Sequence, residues 1–338
     1  MRNRSRKIWG TALFLSGFLN AGIAGAQIAA SNQSQDTTAQ PLPKQLVDDL
    51  HAAFGEHHAR AVHAKGIILE GRFQPSNEAA MISKAKLFRT KGIVIVRFSD
   101  FTGIPDIPDN HPLASPRGFA VKFKSGDSEM LDIVAHGFNG FPAATSEEFG
   151  QLLLAIAASP PGTKEPNKLS EFLGTHPIAA TFLTTQKPMP VSYATNAYFG
   201  VNAFAFVNAK GQKSFVRYRF VPQAGEHYFD AVAAAKTPSN FLQEEIATRL
   251  KTAPIIFDWY AQISGSGDKI DDPSVAWPED RKRIKLGTIT IDRLTADQQE
   301  ADRSLLFLPG KVPSGIEIAD PMLKIRTAAY PISFRERQ

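Results

Sequence analysis

The sequence predicts an α+β fold, and three observations favour it. Short apolar runs with polar breaks, typical of antiparallel strands, recur at 66–73, 92–98, 118–123 and 130–135. Helical patterns are interspersed among these runs and the strands that follow them. No glycine-rich phosphate loop follows a strand, which argues against a nucleotide site. Together these features favour a closed barrel or another α+β arrangement over a doubly wound sheet.

The first 26 residues have the composition of an export signal. A basic region precedes an apolar stretch at 8–23, and Ala24-Gly25-Ala26 fits a small-x-small cleavage site. We therefore expect a signal peptide over 1–26 and a periplasmic protein. An uncleaved membrane anchor is the alternative, but the apolar stretch is short for a spanning helix and is interrupted by Gly and Ser. After cleavage, no stable membrane association is expected.

Charge and cysteine content exclude several classes of function. The sequence holds 38 basic and 33 acidic residues, and losing the four basic residues of the signal leaves 34 against 33, a net charge of +1. Such a chain has no strong basic field to release phosphate counterions, so no nucleic-acid partner is expected. It has no cysteine, which excludes disulfides, a catalytic thiol and thiolate metal ligands.

After the signal, the elements follow in order. Residues 27–42 are rich in Gln, Ser, Thr, Asn and Ala and are predicted to be a disordered linker. A helix is predicted at 43–54, where apolar residues recur at helical spacing. The first group of strands follows this helix. Thr145 is then a candidate N-cap for a helix at 145–158.

A second group of strands occupies the rest of the chain. Strands predicted at 203–207 and 214–221 flank Asn208-Ala209-Lys210-Gly211, a hairpin signal. We see no internal repeat and no strong interdomain linker, so a single domain over 43–338 is expected. The remaining predicted elements are a helix at 238–251, strands at 255–263 and 287–294, and a helix at 320–330 that Pro331 ends.

Two short motifs about 260 residues apart carry the chemistry. The first is Arg60-Ala61-Val62-His63-Ala64-Lys65-Gly66, which precedes a strand. The second is Arg326-Thr327-Ala328-Ala329-Tyr330, whose Arg and Tyr share one face of a helix. A phenol with a normal pKa of about 10 is scarcely ionised at neutral pH, and a nearby guanidinium favours its charged form. Alone, each motif is ordinary: a structural histidine, and an Arg and Tyr on an amphipathic helix.

Together, and in this order, the two motifs resemble the haem-facing motifs of the catalase superfamily. The run Phe-Leu-Pro-Gly-Lys-Val-Pro-Ser-Gly-Ile-Glu at 307–317, followed by Asp320-Pro321-Met322-Leu323, is similar to the segment that leads into the proximal helix of that family. Val96-Arg97-Phe98-Ser99 resembles its distal strand. The resemblance covers roughly 45–338. It implies an antiparallel eight-stranded β-barrel with surrounding helices.

The resemblance also implies roles for individual residues. The phenolate of Tyr330 is expected to bind the iron of haem b, assisted by Arg326. His63 is expected to be the distal acid–base group, held in orientation by Ser99. The third distal group is Asn139, whose spacing to Pro142 fits the family's Asn-x-x-Pro. The preceding stretch is about three residues longer than in large catalases, and His136 within it is the rival candidate.

Four further residues match positions that contact haem in the family. Arg60, Arg97 and Arg337 match arginines that pair with the haem propionates, a task suited to the two-point geometry of a guanidinium. Phe149 is the candidate for the phenylalanine that packs on the distal haem face. A histidine that lies opposite Asp320 in the family is replaced here by Asn202.

By this description the chain resembles the small exported catalase-related peroxidases. The resemblance implies a haem peroxidase that reduces hydrogen peroxide or organic hydroperoxides with a small organic donor, with weak or no catalase activity, in oxidative-stress defence. The C-terminal helical domain of typical catalases and its nicotinamide-nucleotide site are expected to be missing, so no NADPH is expected. A monomer or small homo-oligomer is expected. The alternatives are a non-catalytic carrier of haem or an apolar ligand, and an allene-oxide-synthase-like enzyme that rearranges hydroperoxides.

Overall fold

The computed structural model describes residues 40–125 and 128–338. Nine strands form one sheet within these residues. Their hydrogen-bonded pairs are all antiparallel. The strands are β1 (Gly66–Pro75), β2 (Gly92–Ser99), β3 (Gly118–Ser125), β4 (Ser128–His136), β5 (Tyr198–Val207), β6 (Lys213–Pro222), β7 (Ile255–Ile263), β8 (Arg283–Leu294) and β9 (Ile316–Ile318).

Helices cover the sheet from outside and fill the connections. Short 3₁₀ turns occur at Lys86–Arg89, Pro112–Ala114 and Tyr193–Thr195. The α-helices of the described residues are α1 (Leu42–Phe54), α2 (Ala79–Ile82), α3 (Ser146–Ala157), α4 (Lys168–Thr175), α5 (Pro177–Thr184), α6 (Ala231–Ala234), α7 (Phe241–Arg249), α8 (Gln298–Ser304) and α9 (Met322–Glu336).

The sheet closes into a barrel of eight strands. The order is β4-β3-β2-β1-β8-β7-β6-β5, and β4 meets β5 through the pair His136 and Phe199, while β9 adds to the β5 edge. Closure removes the free edges that an open sheet would expose. The predicted α+β class and the antiparallel eight-stranded barrel are thereby confirmed.

The barrel interior is a packed aromatic core and leaves no room for a large ligand. Trp259 stacks on Phe123 at 4.9 Å, and Phe119 stacks on Tyr198 at 5.0 Å between ring centroids. Both Trp259 and Tyr198 are fully buried. In a barrel of this size the inward side chains fill the lumen. A cofactor site must therefore lie on the outer face.

The outer face of β2, β3 and β4 carries two rows of cross-strand neighbours. Side chains alternate between the two faces of a strand, so residues paired across neighbouring strands point the same way. One row is Arg97, Ala120 and Val134, and the other is Ser99, Gly118 and His136. Small residues in the middle of both rows leave a shallow trough along the barrel wall.

Three helices pack as an apolar cluster beside this trough. The cluster contains Val47 and Leu50 of α1, Leu153 of α3 and Ala329 of α9, with Ala61 of the first motif. The motif near one end of the chain and the motif near the other are therefore brought to the same place. This docking, and not the barrel alone, encloses the space over the trough.

Several element boundaries differ from those predicted. The prediction that a helix ends at Pro331 is wrong, because α9 continues through Pro331 to Glu336. The fixed φ of proline, near −65°, is compatible with a helix, and the costs are one missing hydrogen-bond donor and crowding of the ring against the carbonyl four residues earlier. β5 begins at Tyr198, five residues before its predicted start, because Asn202 interrupts the apolar pattern although it is buried.

The expected signal peptide at 1–26 lies outside the described residues, and so does the linker at 27–42 up to residue 39. Residues 40–338 group as one compact unit. Across 40–125 and 128–338, no helix combines the length and apolar character that a membrane span requires.

Candidate active site

A cavity of about 800 Å³ lies between the outer rows of the barrel and helices α1 and α9. The volume includes the part of the space that is open to solvent. Most of its wall is apolar, and three of its polar side chains belong to the two motifs: Arg60, His63 and Tyr330. The lining residues with polar side chains are Arg60, His63, Arg97, Ser99, Tyr330, Ser333 and Arg337.

His63 occupies a backbone conformation that is rare for a residue with a side chain. Its φ is +57°, in the left-handed region. Arg97 holds this turn in place, since its two terminal nitrogens donate to the carbonyl oxygens of His63 and Ala64, both at 2.8 Å. Strained backbone of this kind persists where its surroundings over-determine it, often at functional sites.

The hydrogen bonds of His63 define its tautomer. Nδ1 lies 3.0 Å from the carbonyl oxygen of Asp100 and 3.1 Å from Oγ of Ser99. A carbonyl oxygen only accepts, so Nδ1 carries the proton and Nε2 is the unprotonated nitrogen. Burial lowers the pKa of His63 to about 3, with further lowering from His136 and Arg97. His63 is therefore a neutral imidazole with a free base nitrogen.

Gly118 makes room for this imidazole. A Cβ at position 118 would lie 2.2 Å from Oγ of Ser99 and 2.7 Å from Nδ1 of His63. Real Cβ atoms do not approach other atoms this closely, so the ring rests in space that any other residue would fill. From the sequence alone, Gly118 is predicted only as the start of a strand. No local signal distinguishes it from other glycines that begin strands.

Tyr330 of α9 also lines the cavity, and Arg326 contacts its phenol. Nη2 of Arg326 donates to the phenol oxygen of Tyr330 at 2.7 Å, and its Nη1 donates to Oδ1 of Asn202. Asn202 in turn donates from Nδ2 to Asp320 at 2.7 Å. Each group in this chain orients the next. The guanidinium is thus fixed beside the phenol before any ligand arrives.

Three arginines surround one carboxylate at the edge of the cavity. Arg97 donates to Asp302 Oδ1 at 2.7 Å and Arg60 at 3.3 Å, while Arg337 donates to the carbonyl oxygen of Leu305 at 2.8 Å. Burial, followed by repulsion from Arg97, lowers the pKa of Arg60 well below its usual range. Three cations with one anion leave an uncompensated positive charge. Nothing local in the sequence marks Asp302 for this position.

The donor set fits haem. The cavity offers an apolar space, a phenol beside a guanidinium, and an arginine cluster that can bind carboxylates. Within the described residues, the Nε atoms of Arg60 and Arg337 are buried without a hydrogen-bond partner. Buried donors without partners are costly, and the propionates of a porphyrin would satisfy them.

The structure brings most of the predicted site residues together. His63, Ser99, Tyr330 and the three arginines line the cavity, and Arg326 contacts Tyr330. Phe149 lies in the adjoining apolar cluster, with its ring 4.9 Å from that of Phe141, and does not line the cavity.

The structure places Asn139 elsewhere. It lines a different cleft, where its Nδ2 donates to Glu279 at 3.0 Å. The physical reason is that β4 ends at His136, three residues before Asn139. His136 therefore stays in the outer row beside Gly118, whereas Asn139 follows the chain away from it.

Known proteins share much of this sequence and its fold. A family model described as Catalase matches residues 24–338. The chain is 32% identical to a catalase-related peroxidase from Synechococcus elongatus, over 87% of this chain and 88% of that protein. It is 35% identical to a catalase-related peroxidase from Mycolicibacterium paratuberculosis, over 87% of this chain and 94% of that one.

A solved structure shares the fold. Catalase A from Saccharomyces cerevisiae superposes with a TM-score of 0.72 at 20% identity, covering 82% of this chain and 61% of that one. At this identity the likeness concerns the fold, and the arrangement of barrel and helices is common to both chains.

Proposed function

Because this chain belongs to the catalase family, we propose that it is a haem-dependent peroxidase that reduces hydrogen peroxide or organic hydroperoxides. One observation carries the proposal: a neutral imidazole with a free base nitrogen and a phenol held by a guanidinium line the same apolar cavity. Peroxide cleavage needs a proton acceptor and a redox centre in contact with the same substrate.

The residues present assign the cofactor contacts. Tyr330 would bind the iron of haem b through its phenolate, since phenolate is an established haem ligand and Arg326 stabilises its charge. Arg60, Arg97 and Arg337 would bind the propionates. When bound, haem supplies the redox-active iron that exchanges electrons with peroxide and donor.

The protein moves the protons. Nε2 of His63 takes the proton from one peroxide oxygen and returns it to the other oxygen, which leaves as water or an alcohol. Ser99 and the carbonyl of Asp100 keep Nδ1 protonated, so that the base nitrogen is the one available to substrate. A positioned acid–base group of this kind contributes about 10²–10⁴ in rate.

The donor is proposed to be a small organic reductant. Reduction of one hydroperoxide to an alcohol and water requires two electrons and two protons, which two donor molecules supply as one hydrogen atom each. Both catalase-related relatives are named as peroxidases, and this supports donor oxidation as the main activity with weak or no catalase activity.

The experiment compares two activities in one haem-loaded preparation. Oxygen evolution from hydrogen peroxide measures catalase activity, and oxidation of a phenolic dye measures peroxidase activity. Dye oxidation should dominate, and dominant oxygen evolution would contradict the proposal. His63→Ala separates an enzyme from a carrier: an enzyme loses most turnover, whereas a carrier keeps its bound ligand unchanged. Product analysis with a fatty-acid hydroperoxide separates the two kinds of enzyme. A peroxidase gives the alcohol together with oxidised donor, whereas a rearranging enzyme converts the hydroperoxide without oxidising the donor.

We further propose that the protein is exported to the periplasm after cleavage near Ala26, in oxidative-stress defence, and works there as a monomer or small homo-oligomer without stable membrane association. The basic and apolar pattern of 1–26 supports export. Cell fractionation with mass spectrometry of the mature N-terminus tests cleavage and location, and size-exclusion chromatography with light scattering tests assembly.

A further inference from the structure

The outer row Ser99, Gly118 and His136 places a second imidazole next to the glycine on which the first one rests. The neighbours of His136 in the sheet, Gly118 and Ala135, line the cavity, whereas His136 lies just behind that lining. Ser99 contacts His63, the ring of His63 rests over Gly118, and Gly118 pairs directly with His136. Side chains of directly paired residues leave the sheet on the same face, with Cβ atoms about 4.5–5.5 Å apart in pairs that have them. Since Gly118 has no side chain, nothing within the row separates the two imidazoles.

The two imidazoles have complementary tautomers. Nδ1 of His136 accepts the backbone N–H of Phe138 at 3.3 Å, so Nδ1 is unprotonated and Nε2 carries the proton. In His63 the arrangement is reversed, with Nε2 as the free base. One ring therefore offers an N–H donor and the other an acceptor. A hydroperoxide, which has one acidic oxygen and one accepting oxygen, matches such a pair.

The donor nitrogen of His136 is unsatisfied. Nε2 is buried and has no hydrogen-bond partner within the described residues. Its aromatic neighbours Phe141 and Phe182 offer no acceptor in the plane of their rings, at centroid distances of 6.5 and 6.2 Å. A buried N–H without a partner costs free energy, so a site that keeps one is poised to donate to a ligand.

The charges around His136 keep it neutral. Burial lowers its pKa to about 3, and Arg326 lowers it further. His63 is held neutral by burial, by His136, by Arg97 and by Arg326. Both pKa values are about 3, so both rings are uncharged in the resting protein at ordinary pH. The pair can therefore donate and accept without first losing a proton to solvent.

We infer that His136 is the second catalytic residue on the distal side, and that its Nε2–H donates a hydrogen bond to the peroxide oxygen that His63 does not deprotonate. Asn139, the other candidate from the sequence, bonds to Glu279 in a different cleft and has no such path to His63. The inference rests on the proposed peroxidase function and assigns the third distal group within it.

Three variants of the haem-loaded protein test the assignment. His136→Leu removes the donor, His136→Gln keeps an N–H donor of similar reach, and Asn139→Leu tests the rival. Two quantities are measured: kcat/KM for hydrogen peroxide by stopped flow, and the Kd for cyanide from the Soret shift. Haem content and far-ultraviolet circular dichroism verify folding. His227→Leu, at an exposed imidazole outside the cavity, is the matched control.

His136→Leu should lower kcat/KM roughly tenfold or more and weaken cyanide binding several-fold, as expected for loss of one preorganised donor. His136→Gln should recover most of both losses. Asn139→Leu should lose less than His136→Leu, and His227→Leu should match wild type. The inference is overturned if Asn139→Leu shows the larger loss, or if His136→Leu and His136→Gln are equally impaired with haem content intact.

The test separates this inference from the function on which it rests. If wild type turns over peroxide, depends on His63 and is insensitive to His136→Leu, only the assignment of His136 fails. If wild type binds haem but shows no peroxide turnover, the proposed function fails, and the cyanide measurement still decides whether His136 donates to a distal ligand.

Discussion

Nη2 of Arg326 lies 2.7 Å from the phenol oxygen of Tyr330, one helical turn further along α9. The guanidinium has a fixed orientation, because its other terminal nitrogen donates a hydrogen bond to Asn202, and Asn202 in turn donates one to Asp320. The interaction is thus preorganised, and its effect on a phenolate ligand does not depend on reorganisation when the cofactor binds.

Arg326→Leu should weaken haem binding and broaden or shift the Soret band. A hydrogen bond to a charged group contributes about 1.5–3 kcal/mol, so the affinity for haem should fall roughly 10- to 100-fold. Haem titration into the protein measures this change. Lys324→Leu, at an exposed position on the same helix, is the control and should bind as wild type does. Equal affinities for the two variants would show that the guanidinium contributes nothing to ligation.

Gly118→Ala should impair catalysis by displacing His63. The new Cβ would lie 2.7 Å from Nδ1 of His63 and 2.2 Å from Oγ of Ser99, so at least one of them must move. A displacement of about 1 Å can cost about 10²-fold in rate. The measurement is kcat/KM for peroxide beside haem content. Gly174→Ala, where the added methyl meets nothing within 4 Å, is the matched substitution. A wild-type kcat/KM in Gly118→Ala would show that the added methyl group does not displace His63.

Arg337→Met should reduce the preference for porphyrins with free carboxylates. The arginine cluster holds more positive charge than Asp302 neutralises, and burial lowers the pKa of Arg337 to about 10. Wild type should therefore bind haem more tightly than haem dimethyl ester. The ratio of the two Kd values should shrink several-fold in Arg337→Met. Arg303→Met, at an exposed arginine paired with Glu300, should leave the ratio unchanged, and an equal ratio in all three proteins would contradict propionate binding.

The protein should lose stability as pH falls from about 6.5 towards 3. His63 has a normal pKa near 6.5 when unfolded and about 3 when folded, so in this window the unfolded chain binds the extra proton. His136 acts in the same direction. Asp100, whose pKa burial raises to about 6, acts in the opposite direction, gaining stability as it protonates. The free energy of unfolding therefore falls overall, because the pKa shift of each of the two imidazoles is larger than that of Asp100.

His63→Gln isolates the contribution of one imidazole. The free energy of unfolding, measured by urea titration at pH 6.5, 5.5 and 4.5, should fall less steeply in the variant than in wild type. The difference in slope should approach about 1.4 kcal/mol per pH unit in the lower part of the window. Parallel slopes would mean that His63 is not held neutral by the fold.

Local patterns in the sequence were sufficient for part of the site. Arg326 and Tyr330 are four residues apart on a helix, and α9 places them in contact as that spacing predicts. The motif around His63 and the strand that ends in Ser99 also meet as expected. In these cases the relevant geometry is set within one element, or between two strands that are adjacent in both sequence and sheet.

Other parts depend on contacts that no local pattern encodes. Asp302 reaches the arginine cluster only because α8 docks beside β1 and β2. Asn139 has the family's spacing to Pro142, but it follows a strand that ends at His136. Phe149 has the right residue type on the right helix, yet it packs in the neighbouring cluster. Tertiary packing decided each of these positions.

The placement of the cavity on the outer wall of the barrel, under α1 and α9, has a consequence for assembly. The imidazole at position 63 and the phenol at position 330 lie far apart along the chain. Contacts between such distant segments carry a loop-closure cost that slows their formation. Porphyrin capture therefore requires this long-range contact, and a barrel that has formed without α9 docked should be colourless.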